Sequence, residues 1–226
     1  MKKQLLHLVA IAMVAIFVTS CASLTGFEEG KVLGEGNKEA IVSGNYTTVP
    51  DLLSDDFDTL AINDNIGFPN IEFSYKYGIT DKLDVGGRIS TTLTTSAYAK
   101  YQLVGDNSSK FALAGGLEIG TFAGIAYTVG IPVYASIYPT ESITININPR
   151  FLYQTAAGAG GDGITYLGGN AGLLFGKKHK FGLDVGFYSL GGSVSSGTNL
   201  LTFGVGGKFR FGDFGSSGSS SGRKRR

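Results

Sequence analysis

The chain has one Cys, two His, five Pro and no Trp in 226 residues. One Cys excludes a disulfide framework, and two His leave little for a zinc site or for imidazole acid–base catalysis. Charge is scarce too: 16% of the residues are charged, against about 25% in an average soluble domain. A formal balance of +1 excludes the basic bias of a general nucleic-acid binder. No window past residue 21 carries a helical period, whereas alternation is everywhere. What the chain has in excess is glycine, 35 residues, roughly 15% where about 7% is usual. Aromatics reach 12% and there is no Gly-x-y period, so the glycine is neither collagen nor linker. Few charges, many glycines and many aromatics predict a single β domain in an unusual solvent.

The N-terminus reads as a targeting segment. Lys2 and Lys3 precede an apolar stretch from Leu5 to Val18, shorter than the about 20 residues a spanning helix needs. Its end, Val18-Thr19-Ser20-Cys21, resembles a bacterial lipobox. That resemblance implies that Cys21 becomes the mature N-terminus and carries lipid chains. Ala22 stands where an Asp would retain a lipoprotein in the inner membrane, so the implied address is the outer membrane. Without the first 20 residues, 17 bases face 18 acids, and four of those bases lie in Arg223-Lys224-Arg225-Arg226.

Ten alternating segments follow, at 38–46, 68–78, 83–93, 96–103, 110–121, 125–138, 143–154, 164–175, 180–190 and 200–211. In the clearest, Ile143, Ile145, Ile147, Phe151 and Tyr153 alternate with Thr144, Asn146, Asn148 and Arg150. Successive strand side chains point to opposite faces, so one face is greasy and the other polar. Most segments suit a tilted membrane crossing of about 9–11 residues. Tight connections at 79–82, 105–109, 139–142 and 176–179 alternate with more varied ones, the longest an acidic stretch from Thr47 to Ile66. Outer-membrane barrels place tight turns in the periplasm and longer loops outside. Ten strands then put both chain ends on the periplasmic side.

Alternation alone also fits a lipocalin-like soluble barrel, apolar inside and polar outside. The polar face decides against it. Lys110, Ala112, Ala114, Gly116, Glu118 and Gly120 on one strand are small residues between isolated charges. That suits a crowded lumen better than a water-exposed surface. The expected fold is therefore all-β, a closed antiparallel up-and-down transmembrane barrel. Tyr75, Tyr77, Tyr127 and Tyr153 would serve its interfacial girdles in place of Trp.

The run from Pro69 to Gly86, with Tyr77-Gly78-Ile79-Thr80-Asp81-Lys82-Leu83-Asp84-Val85-Gly86 at its centre, resembles the strand–turn–strand unit of bacterial outer-membrane β-barrels of the porin-like superfamily. Gly206, Phe209 and Phe211 are similar to that family's C-terminal assembly signal, although Phe214 and a Ser/Gly-rich tail continue beyond them. The resemblance implies outer-membrane lipids, the barrel-assembly machinery and lipoprotein-processing enzymes as partners during biogenesis. The expected organisation is a signal peptide at 1–20, a periplasmic linker at 21–37, the barrel at 38–214 and a flexible basic tail at 215–226.

The inner face is expected to carry Glu72, Lys76, Asp84, Arg88, Lys100, Glu118, Arg150, Asp184, Lys208 and Arg210. These charges read either as a structural ion-pair network or as a narrow, slightly cationic passage for small anions. Enzymatic outer-membrane barrels lean on His, and the mature chain has only His179, in a tight turn. Asp55, Asp56 and Asp58 lack the Gly and Glu of a calcium loop. No enzyme activity, metal, cofactor or nucleic acid is expected. The expected function is a porin-like outer-membrane lipoprotein, with a surface-binding or envelope-structural barrel acting through the acidic loop as the alternative.

Overall fold

A computed structural model describes residues 24–49, 66–156, 163–192 and 198–212. Ten strands account for most of them: β1 (Lys38–Val49), β2 (Ile66–Thr80), β3 (Leu83–Ser90), β4 (Thr94–Val104), β5 (Phe111–Phe122), β6 (Ala126–Thr140), β7 (Ile143–Ala156), β8 (Gly163–Phe175), β9 (Lys180–Gly192) and β10 (Asn199–Phe211). Each strand pairs antiparallel with its sequence neighbours, and β1 pairs with β10 to close the barrel. Closure leaves no edge strand, so every ladder is complete without water.

The period of two sorts the side chains. Along β9 burial alternates at every residue from Lys180 to Leu190, with Phe181, Leu183, Val185 and Phe187 outside and Asp184 and Tyr188 inside. On β8, Leu167 is 66% exposed while its neighbour Tyr166 is 0% exposed. Ile71, Phe73, Ile119, Ile131, Ile147 and Phe203 continue the outward apolar surface around the wall. That much contiguous apolar surface is unstable in water and suits a hydrocarbon solvent.

At one end the wall turns tightly between β2 and β3, β4 and β5, β6 and β7, and β8 and β9. Register shifts at Gly78/Thr80, Gln102/Val104 and Ile137/Thr140 place three bulges beside these turns, where an extra residue twists the strand into its hairpin. The β3–β4 connection differs from expectation. β3 stops at Ser90 rather than running to residue 93, because Leu93 takes a φ of 61° and its N–H closes a turn onto the Ser90 carbonyl at 3.0 Å.

The larger departure is the segment expected as a periplasmic linker. Residues 24–30 are all buried, and they lie inside the barrel. Leu24 packs with Leu152, Tyr166, Tyr188, Leu190 and Leu200 in a cluster toward the loop end. From there the chain descends the lumen and emerges among the tight turns. Gly36 and Asn37 exchange backbone bonds with Gly78 there, and β1 begins. The chain ends, expected together on the tight-turn side, lie outside the described residues, and the two ends of the described chain are parted. Phe211 ends β10 at the tight turns, and the described chain begins near the opposite mouth.

Candidate functional site

The site is the lumen, and its contents follow from a simple constraint. A ring of inward side chains leaves a polar interior, and each charge taken from water there needs a partner. Nine of the ten charges expected on the inner face are buried, and Arg210 is half-buried near the tight-turn mouth. Two further wall charges, Glu39 on β1 and Lys180 on β9, belong with them.

Toward the tight turns these residues form a cation-rich layer. The wall supplies five bases, Lys76, Lys100, Lys180, Lys208 and Arg210, against two acids, Glu39 and Asp84. The threaded segment brings the missing carboxylates. Glu28 lies 2.7 Å from Lys76 and 3.4 Å from Lys100, and accepts a bond from the Tyr98 hydroxyl at 3.3 Å. Glu29, the next residue, turns to the other side and meets Lys180 at 2.8 Å, Arg210 at 2.9 Å and Lys208 at 3.0 Å. Glu39 stands between the two sectors, 2.8 Å from Lys76 and 3.2 Å from Lys208, and it also pairs with Arg210.

Toward the loops the balance reverses. Arg88 pairs with Glu72 at 3.2 Å and Glu118 at 3.4 Å, and the Arg88 guanidinium lies over the Tyr98 ring. Thr25 donates to Glu72 at 2.6 Å, Ser96 donates to Glu118 at 2.8 Å, and Arg150 donates to the Thr25 carbonyl at 3.4 Å. Asp184 accepts from the Gly26 N–H at 3.0 Å and from the Asn170 amide at 2.6 Å.

The threaded backbone is held by wall side chains. Gly30 N–H donates to Ser136, Val32 N–H to Gln102 and Leu33 N–H to Asp84. The Asn148 amide donates to the carbonyls of Gly26 and Glu28, and Asn170 donates to that of Leu24. Close approach demands glycine at two points: a Cβ on Gly30 would strike the Ala112 carbonyl oxygen, and one on Gly26 would strike the Asn170 side chain. The room left by the inner glycines therefore has an occupant. A Cβ on Gly206 would sit 3.2 Å from the Phe27 ring, and one on Gly204 would sit 3.0 Å from it.

Outside the cation-rich layer, at the tight-turn mouth, lies a vestibule of about 750 Å³ lined by Lys31, Lys110, Lys177, Lys178, Lys180 and Arg210. Lys177 pairs with the exposed Glu141 at 2.8 Å, which raises the Lys177 pKa and lowers that of Glu141. Asp106, in the β4–β5 turn, accepts bonds from the Ser108 and Ser109 hydroxyls and the Ser108 N–H. These pull its carboxyl down to about 2. His179 is exposed in the β8–β9 turn, its ring tilted against Phe209. Phe209 packs edge-on against Phe181, Phe211 faces outward, and Gly206 is on the inner face. Among the described residues no group of three His, Cys, Asp or Glu side chains could hold a metal ion. Cys21 and most of the acidic loop, including Asp55, Asp56 and Asp58, lie outside the described residues.

Sequence reading missed Glu28, Glu29 and Glu39, and it set Lys180 on the polar face of its strand without counting it among the inner charges. The available signal was the mismatch between six bases and four acids on the expected inner face, next to an acid pair flanked by Phe27, Val32 and Leu33.

No protein-family model matches the sequence, and no curated protein matches it. Solved bacterial outer-membrane proteins do match in structure. Neisserial surface protein A matches at a TM-score of 0.40 and 12% identity, over 78% of this chain and 100% of that one. Ail, the attachment invasion locus protein of Yersinia pestis, solved in complex with the heparin analogue sucrose octasulfate, matches at 0.35 and 13%, over 78% and 99%. OprG from Pseudomonas aeruginosa matches at 0.33 and 13%, over 82% and 100%. The likeness is one of barrel architecture.

Proposed function

We propose that the chain is a non-enzymatic, porin-like barrel of the bacterial outer membrane whose lumen is closed by its own N-terminal segment. The outward apolar wall supports the membrane address. The plug carries the rest of the reading: Glu28 and Glu29 fill the polar interior and neutralise a wall that is basic without them. About 8 strands leave room only for side chains, and about 16 leave an aqueous channel. Ten strands with many inner glycines leave room for one extended chain, so solute passage requires the segment to move. In planar bilayers the intact protein is expected to show little conductance, and a chain lacking residues 24–33 to show stepwise currents. Equal silence from both would refute the porin-like reading.

Cys21 is proposed as the lipid-attachment residue, with outer-membrane lipids, the assembly machinery and the processing enzymes as its partners in biogenesis. Incorporation of labelled palmitate, abolished by Cys21→Ala, tests this. A filled lumen also favours the second reading, in which a closed barrel works through what it displays, above all the acidic stretch at 50–65. Loss of cell or matrix binding on deletion of that stretch would support it, and unchanged binding would count against it.

A further inference from the structure

We infer that the cation-rich layer at the tight-turn end is a binding site for small polycarboxylate anions, which Glu28 and Glu29 occupy as an intramolecular stand-in. This rests on the porin-like reading and names the solute class for it. Three observations carry the inference.

The first is chemical. Glu28 and Glu29 are two carboxylates on adjacent residues, and between them they contact all five bases of the layer. A small anion with two or three carboxylates offers these bases the same kind of charge. The Arg210 guanidinium already shows how the wall grips such groups, donating to Glu29 and Glu39 together.

The second is structural. The barrel wall is closed by its own ladders without residues 24–33. Those residues are held mainly through separate wall side chains, among them Gln102, Asp84, Ser136 and Asn148. Such donors and acceptors can turn to a solute or to water when the segment leaves, so the wall survives displacement.

The third is access. Lys180 and Arg210 belong both to the buried layer and to the lining of the basic vestibule. Six bases and one acid, Glu141, line the vestibule, so net positive charge leads from the tight-turn mouth to the site. A cleft with an excess of one sign concentrates counter-ions of the other. The layer toward the loops, where Glu72, Glu118 and Asp184 outnumber Arg88 and Arg150, offers an anion no such approach.

The test uses the full chain in detergent micelles, with citrate as the probe. In the Glu28→Gln/Glu29→Gln variant the plug loses the ion pairs that hold it to the bases, so it yields them to an anion more readily and leaves them short of carboxylate. A ligand that binds only the folded protein raises its unfolding temperature by mass action. Citrate is expected to raise the midpoint of this variant and to bind it at least tenfold more tightly than it binds the intact chain. Adding Lys100→Gln and Lys208→Gln should weaken that binding at least tenfold. A chain lacking residues 24–33 provides a second route to the same site, read by direct titration. The inference is overturned if citrate treats the intact and Glu-to-Gln chains alike, if the Lys changes leave the affinity unmoved, or if neither altered chain binds citrate. Conductance decides the porin-like reading separately. A truncated chain that conducts without binding citrate refutes only the site, and one that binds citrate without conducting refutes only the passage.

Discussion

Glu29 is buried against Lys180, Lys208 and Arg210, and its carboxylate oxygens contact all three. Removing one partner of a buried ion pair leaves the others uncompensated, which typically costs about 3–5 kcal/mol. Glu29→Gln is therefore expected to lower the unfolding free energy, read from the urea midpoint in micelles, by an amount in that range, and Glu28→Gln similarly. By contrast, Glu141→Gln, whose pair with Lys177 is exposed, should leave the midpoint where it is, because surface ion pairs contribute about 0–1 kcal/mol. Asp106 sets a pH limit on its own turn. Its folded pKa of about 2 lies below the ordinary carboxylate value, so its contribution is present above the ordinary value and is lost as pH falls through about 2. Amide exchange in the 105–109 turn should stay slow at pH 3 and rise near pH 2. In Asp106→Ala it should be fast at both.

Strands and plug differ in how far the sequence exposes them. A strand with lipid on one side and a lumen on the other must alternate, so Ile143, Ile145 and Ile147 against Thr144, Asn146 and Asn148 mark β7 by their order alone. All ten strands were legible in this way, with bounds off by at most a few residues near bulges and turns. The segment 24–30 has no free face. Leu24 to Gly30 are buried on every side, and each residue type answers to a local partner: Glu29 to three bases, Gly30 to the Ala112 carbonyl. No period results, and short-range reading takes the stretch for a linker. Ten inner charges were legible because they lie on alternating strands, whereas their partners Glu28 and Glu29 lie far away in sequence. Gly30→Val tests the plug as an element. Its added carbons collide with the wall backbone, so the segment should be dislodged, exposing residues 24–33 to protease while the barrel core stays resistant. Leu117→Arg tests the outward face, where Leu117 is exposed. A charge near the bilayer midplane costs roughly 2–4 kcal/mol. Folding into lipid vesicles should therefore suffer, and no comparable loss is expected for Leu103, which lies beside the β4–β5 turn, changed in the same way.

At the scale of the whole molecule, the threaded segment bears on which side of the membrane a lipid on Cys21 would be anchored. Leu24 packs toward the loop end, and below it the lumen is filled by the chain's own residues 25–33. Tight turns face the periplasm in outer-membrane barrels, and longer loops face outward. Cys21 precedes Leu24 by three residues, a reach of about 10 Å at full extension. A lipid on Cys21 is therefore expected to be anchored from the cell-surface side, and the end of β10, at the tight turns, is expected to face the periplasm. The two chain ends would then stand on opposite faces of one membrane. An epitope inserted after Ala22 should bind antibody on intact cells, and one appended after Arg226 should bind only once the outer membrane is permeabilised. If both tags need permeabilisation, the segment does not thread the barrel from the loop end in the cell. If both are reached on intact cells, the tight turns do not face the periplasm.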